Sequence, residues 1–201
     1  MHKAENSQIF RCVKKKPDTT TKFRAHKNTM RPPGNVLYLV DNLWEWKRPK
    51  NFPNRRLSVF ASPQADLAKS FGPEGGTVYQ VKFEGKFKLC QVVGYADSKN
   101  HPDCKSLRKL IFRILGQEWI DGKLDDKEDV GKLWIPCLTK SDINYLFGVN
   151  QKLRSIREEV YNSIRYWDDV VLVRDGKLIL DEEGESFFEP LEGYRLKEIT
   201  D

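Results

Sequence analysis

Three clusters in this sequence carry side chains of types that can do chemistry. The first is Asn54-Arg55-Arg56-Leu57-Ser58-Val59-Phe60-Ala61-Ser62. Serine hydroxyls can hold ribose or amide groups, arginine forks onto phosphate, and an aromatic ring can stack on another ring. Ser58 and Phe60 share one strand parity and Val59 and Ala61 the other, which leaves one face partly polar. Ser62-Pro63 reads as a helix start, with Ser62 as N-cap and Pro63 as the first helical residue; the free N–H groups there form an anion site. The plainer reading of the same stretch is a strand feeding a capped helix.

The second cluster is Asp181-Glu182-Glu183-Gly184-Glu185-Ser186-Phe187-Phe188-Glu189. Acidic residues surround a glycine and lead into an aromatic strand. A carboxylate at the mouth of a cleft can anchor a ribose hydroxyl and stabilise positive charge developing at a sugar carbon. A solvated acidic turn is the alternative. The third is Trp44-Glu45-Trp46-Lys47-Arg48-Pro49. Two tryptophans beside cations can stack on bases or on a nicotinamide, or can anchor a long loop to the core.

The elements that must position these clusters follow from periodicity. Residues 36–40, Val-Leu-Tyr-Leu-Val, have the composition of a buried strand. Residues 41–53, with Pro49 and Pro53, read as a structured loop. Residues 57–61 form the next strand and 62–71 a helix, stopped by Gly72-Pro73. Residues 78–83 and 87–93 alternate around Glu84-Gly85 as a hairpin. Helices are expected over 103–115, where Leu107, Leu110, Ile111, Ile114 and Leu115 share a side, and over 140–166, with Ser141 as a cap. Residues 121–131 read as an acidic loop and 133–138 as a short apolar segment. Short strands follow at 169–174, 177–181 and 185–190, with Asp175-Gly176 as a hairpin turn. Antiparallel strands after a helix argue for an α+β fold: a split antiparallel β-sheet core with a cleft, plus a helical insertion at about 103–167. The expected organisation is a basic arm or loosely packed extension over 1–30, with Ile9-Phe10 and Cys12-Val13 as a short strand, then one α+β domain over 31–201.

Composition narrows the function classes. The 201 residues are 39% hydrophobic and 32% charged, which fits a globular domain with charged loops. No apolar run reaches the roughly 18–20 residues of a membrane span, and residues 1–16 lack the apolar stretch of a signal peptide. A cytoplasmic, monomeric protein is the expectation. Residues 1–56 hold 14 Lys/Arg against 4 Asp/Glu, and the remainder 21 against 25, so the net charge of +6 resides in the first quarter. Such a segment attracts phosphates, on nucleic acid or on a small nucleotide. Cys12, Cys90, Cys104 and Cys137 form neither a C-x-x-C nor, with His101, a complete zinc set, so no metal is expected.

In this order the segments resemble the ADP-ribosyltransferase superfamily. Residues 36–40 look like its first core strand. Leu57-Ser58-Val59-Phe60-Ala61-Ser62, with the helix and the Gly-Gly-Thr-Val-Tyr-Gln-Val segment behind it, is similar to its serine-bearing NAD-binding strand. Glu183-Gly184-Glu185 before Ser186-Phe187-Phe188 is similar to its E-x-E motif at the start of a strand. The resemblance implies that NAD is the substrate and binds between two small sheets. It implies that Glu185 holds the nicotinamide ribose and that Glu183 orients or deprotonates the acceptor. Ser58 or Ser62 would support the ribose and nicotinamide end, Phe60 or Trp44 would pack near the rings, and Arg55 and Arg56 would meet the pyrophosphate. Members carry an Arg or His in the first strand; residues 36–40 have neither, so Arg48, Arg55 or Arg56 is expected to stand in. The acceptor would be a macromolecule, protein or nucleic acid. The competing expectation is a non-enzymatic protein that binds nucleic acid or inhibits a host protein, using the basic N-terminal segment and Trp44/Trp46.

Overall fold

The structure, a computed structural model, describes residues 8–14, 17, 21–23, 30–32, 34–115, 130–173 and 181–199. Its fold class is α+β, with two antiparallel sheets and a set of helices. The chain packs as two compact units. One comprises Met1–Thr29, Lys50–Ser98 and Asp169–Asp201; the other comprises Met30–Pro49 and Lys99–Asp168. The first holds the sheets and the second is helical.

In the sheet unit, alternation sets the strands of a three-stranded sheet. Strand β1 (Phe10–Val13) pairs with β3 (Thr77–Phe83), which pairs with β7 (Tyr194–Glu198). Tyr79, Val81, Tyr194 and Leu196 turn inward between exposed Lys82, Arg195 and Lys197, the period of two expected of a half-buried strand. The four-stranded sheet runs β2 (Val59–Ala61), β6 (Ser186–Pro190), β4 (Phe87–Val92), β5 (Val170–Val173). Its inner strands lack this alternation: Leu89, Cys90, Gln91 and Val92 are all buried, as are Ser186, Phe187 and Phe188, because both faces of the sheet are covered. One face packs against the three-stranded sheet in a core of Ile9, Val59, Tyr79, Leu89, Phe188 and Leu196. Fully burying such side chains contributes roughly 1.5–3 kcal/mol each.

The two sheets are joined by one bent ribbon. Phe87 faces Pro190 in one sheet and Phe83 faces Tyr194 in the other. Between them Leu191 N donates to Lys86 O and Glu84 N to Gly193 O, at 3.0 Å each. Gly85 (φ 73°) and Gly193 (φ 137°) sit at this bend in conformations open to glycine. The expected hairpin over 78–83 and 87–93 is therefore corrected. Both strands exist, but each pairs within a different sheet, and their partners come from β6 and β7. The strand over 194–198 was not anticipated.

In the helical unit, α1 (Tyr38–Lys47) replaces the expected strand over 36–40 and the loop after it. Leu39, Val40, Leu43 and Trp44 are all 0% exposed. Their spacing continues through the supposed loop at a helical period, and Pro49 follows the C-cap Arg48 rather than interrupting the helix. A short apolar run cannot by itself distinguish a strand from a buried helix. Helix α3 (Asp103–Leu115) lies where expected and buries Leu107 and Ile111. The stretch 140–166 forms two helices, α4 (Lys140–Val149) and α5 (Gln151–Ser163). The cap of α4 is Thr139 in a reciprocal capping box with Asp142, in place of Ser141. Helix α2 (Ala65–Ser70), in the sheet unit, begins three residues after Ser62 and is preceded by Gln64.

The expected loop over 121–131 lies mostly outside the described residues; the strand over 177–181 and the turn Asp175-Gly176 do so except for Asp181. Among the described residues no helix is long and apolar enough to cross a membrane.

Candidate active site

The site is built where β2 ends and β6 begins. Their register places Val59 opposite Phe188, Phe60 opposite Phe187 and Ala61 opposite Ser186. The residues that follow Ala61 and precede Ser186 are Ser62 and Glu185. Ser62 is not a helix cap. Its backbone N–H and C=O both pair with Phe10, at 2.8 and 2.7 Å, and this bridge ties β1 to the end of β2. The residue after Phe10 is Arg11, whose Nη1 donates to the Phe60 carbonyl at 2.7 Å. Arg11 and Ser62 thus both tie β1 to the end of β2, and Glu185 stands immediately before the first residue of β6, the strand paired with β2.

Glu185 and Phe187 share a parity, so the carboxylate projects from the face of β6 that carries Phe187, away from the core shared with the other sheet. Its side chain is 12% exposed. The Ser98 hydroxyl donates to Glu185 Oε2, and the Ser98 backbone N–H donates to the same oxygen at 3.3 Å. Arg55 Nη1 donates to Ser98 Oγ at 2.9 Å and lies 3.6 Å from Glu185 Oε2. The Arg55 guanidinium rests on two rings, 5.0 Å from the centroid of Phe60 and 5.3 Å from that of Phe187. Cation–π contact and a weakly hydrated planar group make this arrangement suited to arginine rather than lysine.

Burial pushes the Glu185 carboxyl above the ordinary carboxylate range. The Arg55 charge and the Ser98 hydrogen bonds oppose this, while the Asp97 charge adds to it. Withdrawal from water outweighs the nearby cation, the pattern of a carboxyl tuned by its pocket. Perturbed carboxyls of this kind are found at functional sites more often than elsewhere.

The other anticipated residues are distributed as follows. Ser58 is 3% exposed, and its hydroxyl donates to the Asn54 carbonyl at 2.7 Å. It braces the turn that carries Arg55, whose carbonyl accepts from Ser58 N. Arg56 is 3% exposed, and its backbone N–H donates to Asn54 Oδ1. Glu183 is exposed on the turn before β6. Trp44 lies in the helical unit, stacked 3.9 Å from Tyr166, with its Nε1 donating to Asp103 Oδ2 at 2.9 Å. Trp46 stacks on Phe147 and donates to Asn144. Arg48 forks onto Glu45 at 2.8 and 2.9 Å. Both tryptophan rings are thus used in packing.

Sequence reasoning missed Arg11, Asp97, Ser98 and Gln91. Arg11 lay inside a stretch already marked as a short strand, where a lone cation between apolar residues was a usable signal. Gln91 is a polar residue in the middle of an apolar run, which demands a partner. Asp97 and Ser98 lie in an aperiodic turn and gave no signal. Among the described residues no group of three or more His, Cys, Asp or Glu is placed to hold a metal ion. Comparison with protein-family models, with curated proteins and with solved structures returns no match.

Proposed function

We propose that this protein is an NAD-dependent ADP-ribosyltransferase whose reacting centre is Glu185. The observation that supports the reading best is the order of three groups: an arginine on the first strand, a serine at the end of β2, and a glutamate just before β6 whose carboxyl is held by Ser98 and Arg55. The sequence resemblance calls for that set in that order. Arg11 supplies the first-strand cation sought at 48, 55 and 56, because the first strand is Phe10–Val13 and not 36–40.

The chemistry follows from the residues. The bond between the nicotinamide nitrogen and ribose C1′ breaks, and its electron pair leaves with nicotinamide. Positive charge builds on the ribose, and the Glu185 carboxylate both binds a ribose hydroxyl and stabilises that charge. An acceptor nucleophile then bonds to C1′ and gives up its proton to a base; Glu183, exposed two residues upstream, is the candidate. Arg55, Ser98 and the two rings beneath Arg55 hold the Glu185 carboxyl in place, and Arg55 and Ser98 favour its charged form against burial. Arg55 is therefore assigned to Glu185 rather than to the pyrophosphate, and Arg11 is left as the cation for the NAD end of the site. Nothing in this set requires a metal. The acceptor is a macromolecule whose class the residues do not specify.

The test uses the full chain. Millimolar NAD should raise its melting temperature, and nicotinamide should be released in the presence of lysate acceptors. Glu185→Gln should keep the fold and lower release by on the order of 10³-fold, the scale of losing a transition-state charge partner. Absence of both the melting shift and release in the wild type would end this reading.

A further inference from the structure

A glutamine in the middle of the four-stranded sheet has its whole amide spent on one turn. Gln91 is 0% exposed on β4, opposite Ser186 of β6 and Val171 of β5. Its Oε1 accepts from Asp181 N at 2.6 Å, and its Nε2 donates to Asp181 O at 2.7 Å and to Gly184 O at 3.1 Å. A buried amide is costly unless so satisfied. Within the turn it grips, Glu182 and Glu183 are exposed. Among the described residues the turn is also tied by Gly94 N donating to Asp181 Oδ2, Gly184 N to Asp181 O, and Glu183 N to Asp181 Oδ1. Gly184 fits because it lacks a Cβ, which would lie 2.4 Å from the Val92 carbonyl oxygen. The next residue is Glu185, whose N–H donates to Tyr95 O at 2.7 Å and whose C=O accepts from Val92 N at 2.8 Å.

We infer that Gln91 is a positioning residue for Glu185: its amide fixes the upstream half of the turn that delivers the carboxylate to Ser98 and Arg55. The consequence for rate rests on the transferase reading above; the consequence for the Glu185 environment does not. Without the amide, the turn loses three hydrogen bonds upstream of Glu185, and a displacement of about 1 Å at a reacting group can cost roughly 10²-fold in rate. Substrate affinity is shared between Glu185 and the other residues of the site and changes much less than the rate.

Two full-length variants test this. Gln91→Met keeps the volume and removes all three hydrogen bonds. Gln91→Glu keeps the size and the acceptor for Asp181 N but cannot donate to the two carbonyls, and it carries the test if Gln91→Met does not fold. Two readouts are used: steady-state nicotinamide release, and carbon-13 NMR titration of the Glu185 carboxyl. The expected result is a kcat lowered about 10- to 100-fold with KM for NAD changed less than about threefold, and a Glu185 titration that moves back toward the ordinary range as water reaches it. A folded variant that retains both wild-type kcat and wild-type titration overturns the inference. A wild type that releases no nicotinamide defeats the transferase reading instead, and the titration alone then decides the role of Gln91.

Discussion

Glu185 combines two opposed influences, and each can be varied separately. Burial and Asp97 raise its proton affinity; Arg55 and Ser98 lower it. Nicotinamide release should therefore fall as pH drops through a midpoint above the ordinary 4.5 of a glutamate. Asp97→Asn should move that midpoint down. Arg55→Met should move it up and lower the rate at neutral pH. A profile indifferent to both changes would show that Glu185 is not the titrating group. The same shift has a sign for stability. The folded protein holds the Glu185 proton more tightly than the unfolded chain, so this group's contribution is most favourable below pH 4.5 and declines as pH rises through the folded value. The urea midpoint of the wild type, measured relative to Glu185→Gln, should accordingly fall between mildly acidic and neutral pH. Arg55 does not titrate in that range and only offsets the curve.

At the scale of elements, the bend in the ribbon decides where the two sheets part. A Cβ on Gly193 would lie 2.8 Å from the Phe23 carbonyl oxygen, whereas one on Gly85 would meet chiefly the flexible Glu192 side chain. Gly85→Ala should cost about 1 kcal/mol, the ordinary charge for alanine in a left-handed conformation. Gly193→Ala should cost about 2–3 kcal/mol, because a backbone atom must also move. Equal costs in urea unfolding would contradict this account. Much of the element list was legible from periodicity: β3, β4, α3 and α5 lie where their apolar spacing put them. The failures share a cause. Residues 36–40 are apolar at every position, so a strand and a buried helix wrote the same letters, and only Leu43, Trp44 and Trp46 further on distinguish them. Ser62-Pro63 has the chemistry of a cap, but the Ser62 backbone was claimed by Phe10, a partner 52 residues away. The motif residues Ser62 and Glu185 were readable as types; their supports, Ser98 and Gln91, depend on pairings that no local pattern announces.

For the whole molecule, the division into units predicts where a ligand is felt. Every group assigned to NAD lies in the sheet unit. A ligand that binds only the folded state stabilises it by about 2.7 kcal/mol at 100 times its dissociation constant. Hydrogen exchange with saturating NAD should show added protection at β2, β6 and the 181–185 turn, with much less at α4 and α5. Protection confined to the helical unit would place the site elsewhere. Thiol reactivity offers a check on the packing itself. Cys90 is 0% exposed and its thiol is pushed up by burial, and Cys12 is 8% exposed. Cys104 and Cys137 are half-buried. The latter two should react with a thiol reagent in the native protein, and Cys90 only after unfolding.

The bent ribbon also sets an order of events in time. Leu89 pairs with Phe188 and Val81 with Leu196, so about a hundred residues must be threaded into place before either sheet is complete. Closing a loop of that length carries an entropic toll that the local hydrogen bonds within a single helix do not meet. Helices should therefore form first on refolding, and nicotinamide release should lag well behind the recovery of helical circular dichroism. A simultaneous return of the two would refute that order. The carboxylate reaches Ser98 and Arg55 only when β6 docks, so a partly folded chain carries every reactive group of the site and yet is chemically silent. For a protein proposed to modify other macromolecules, activity is then withheld until the fold is finished.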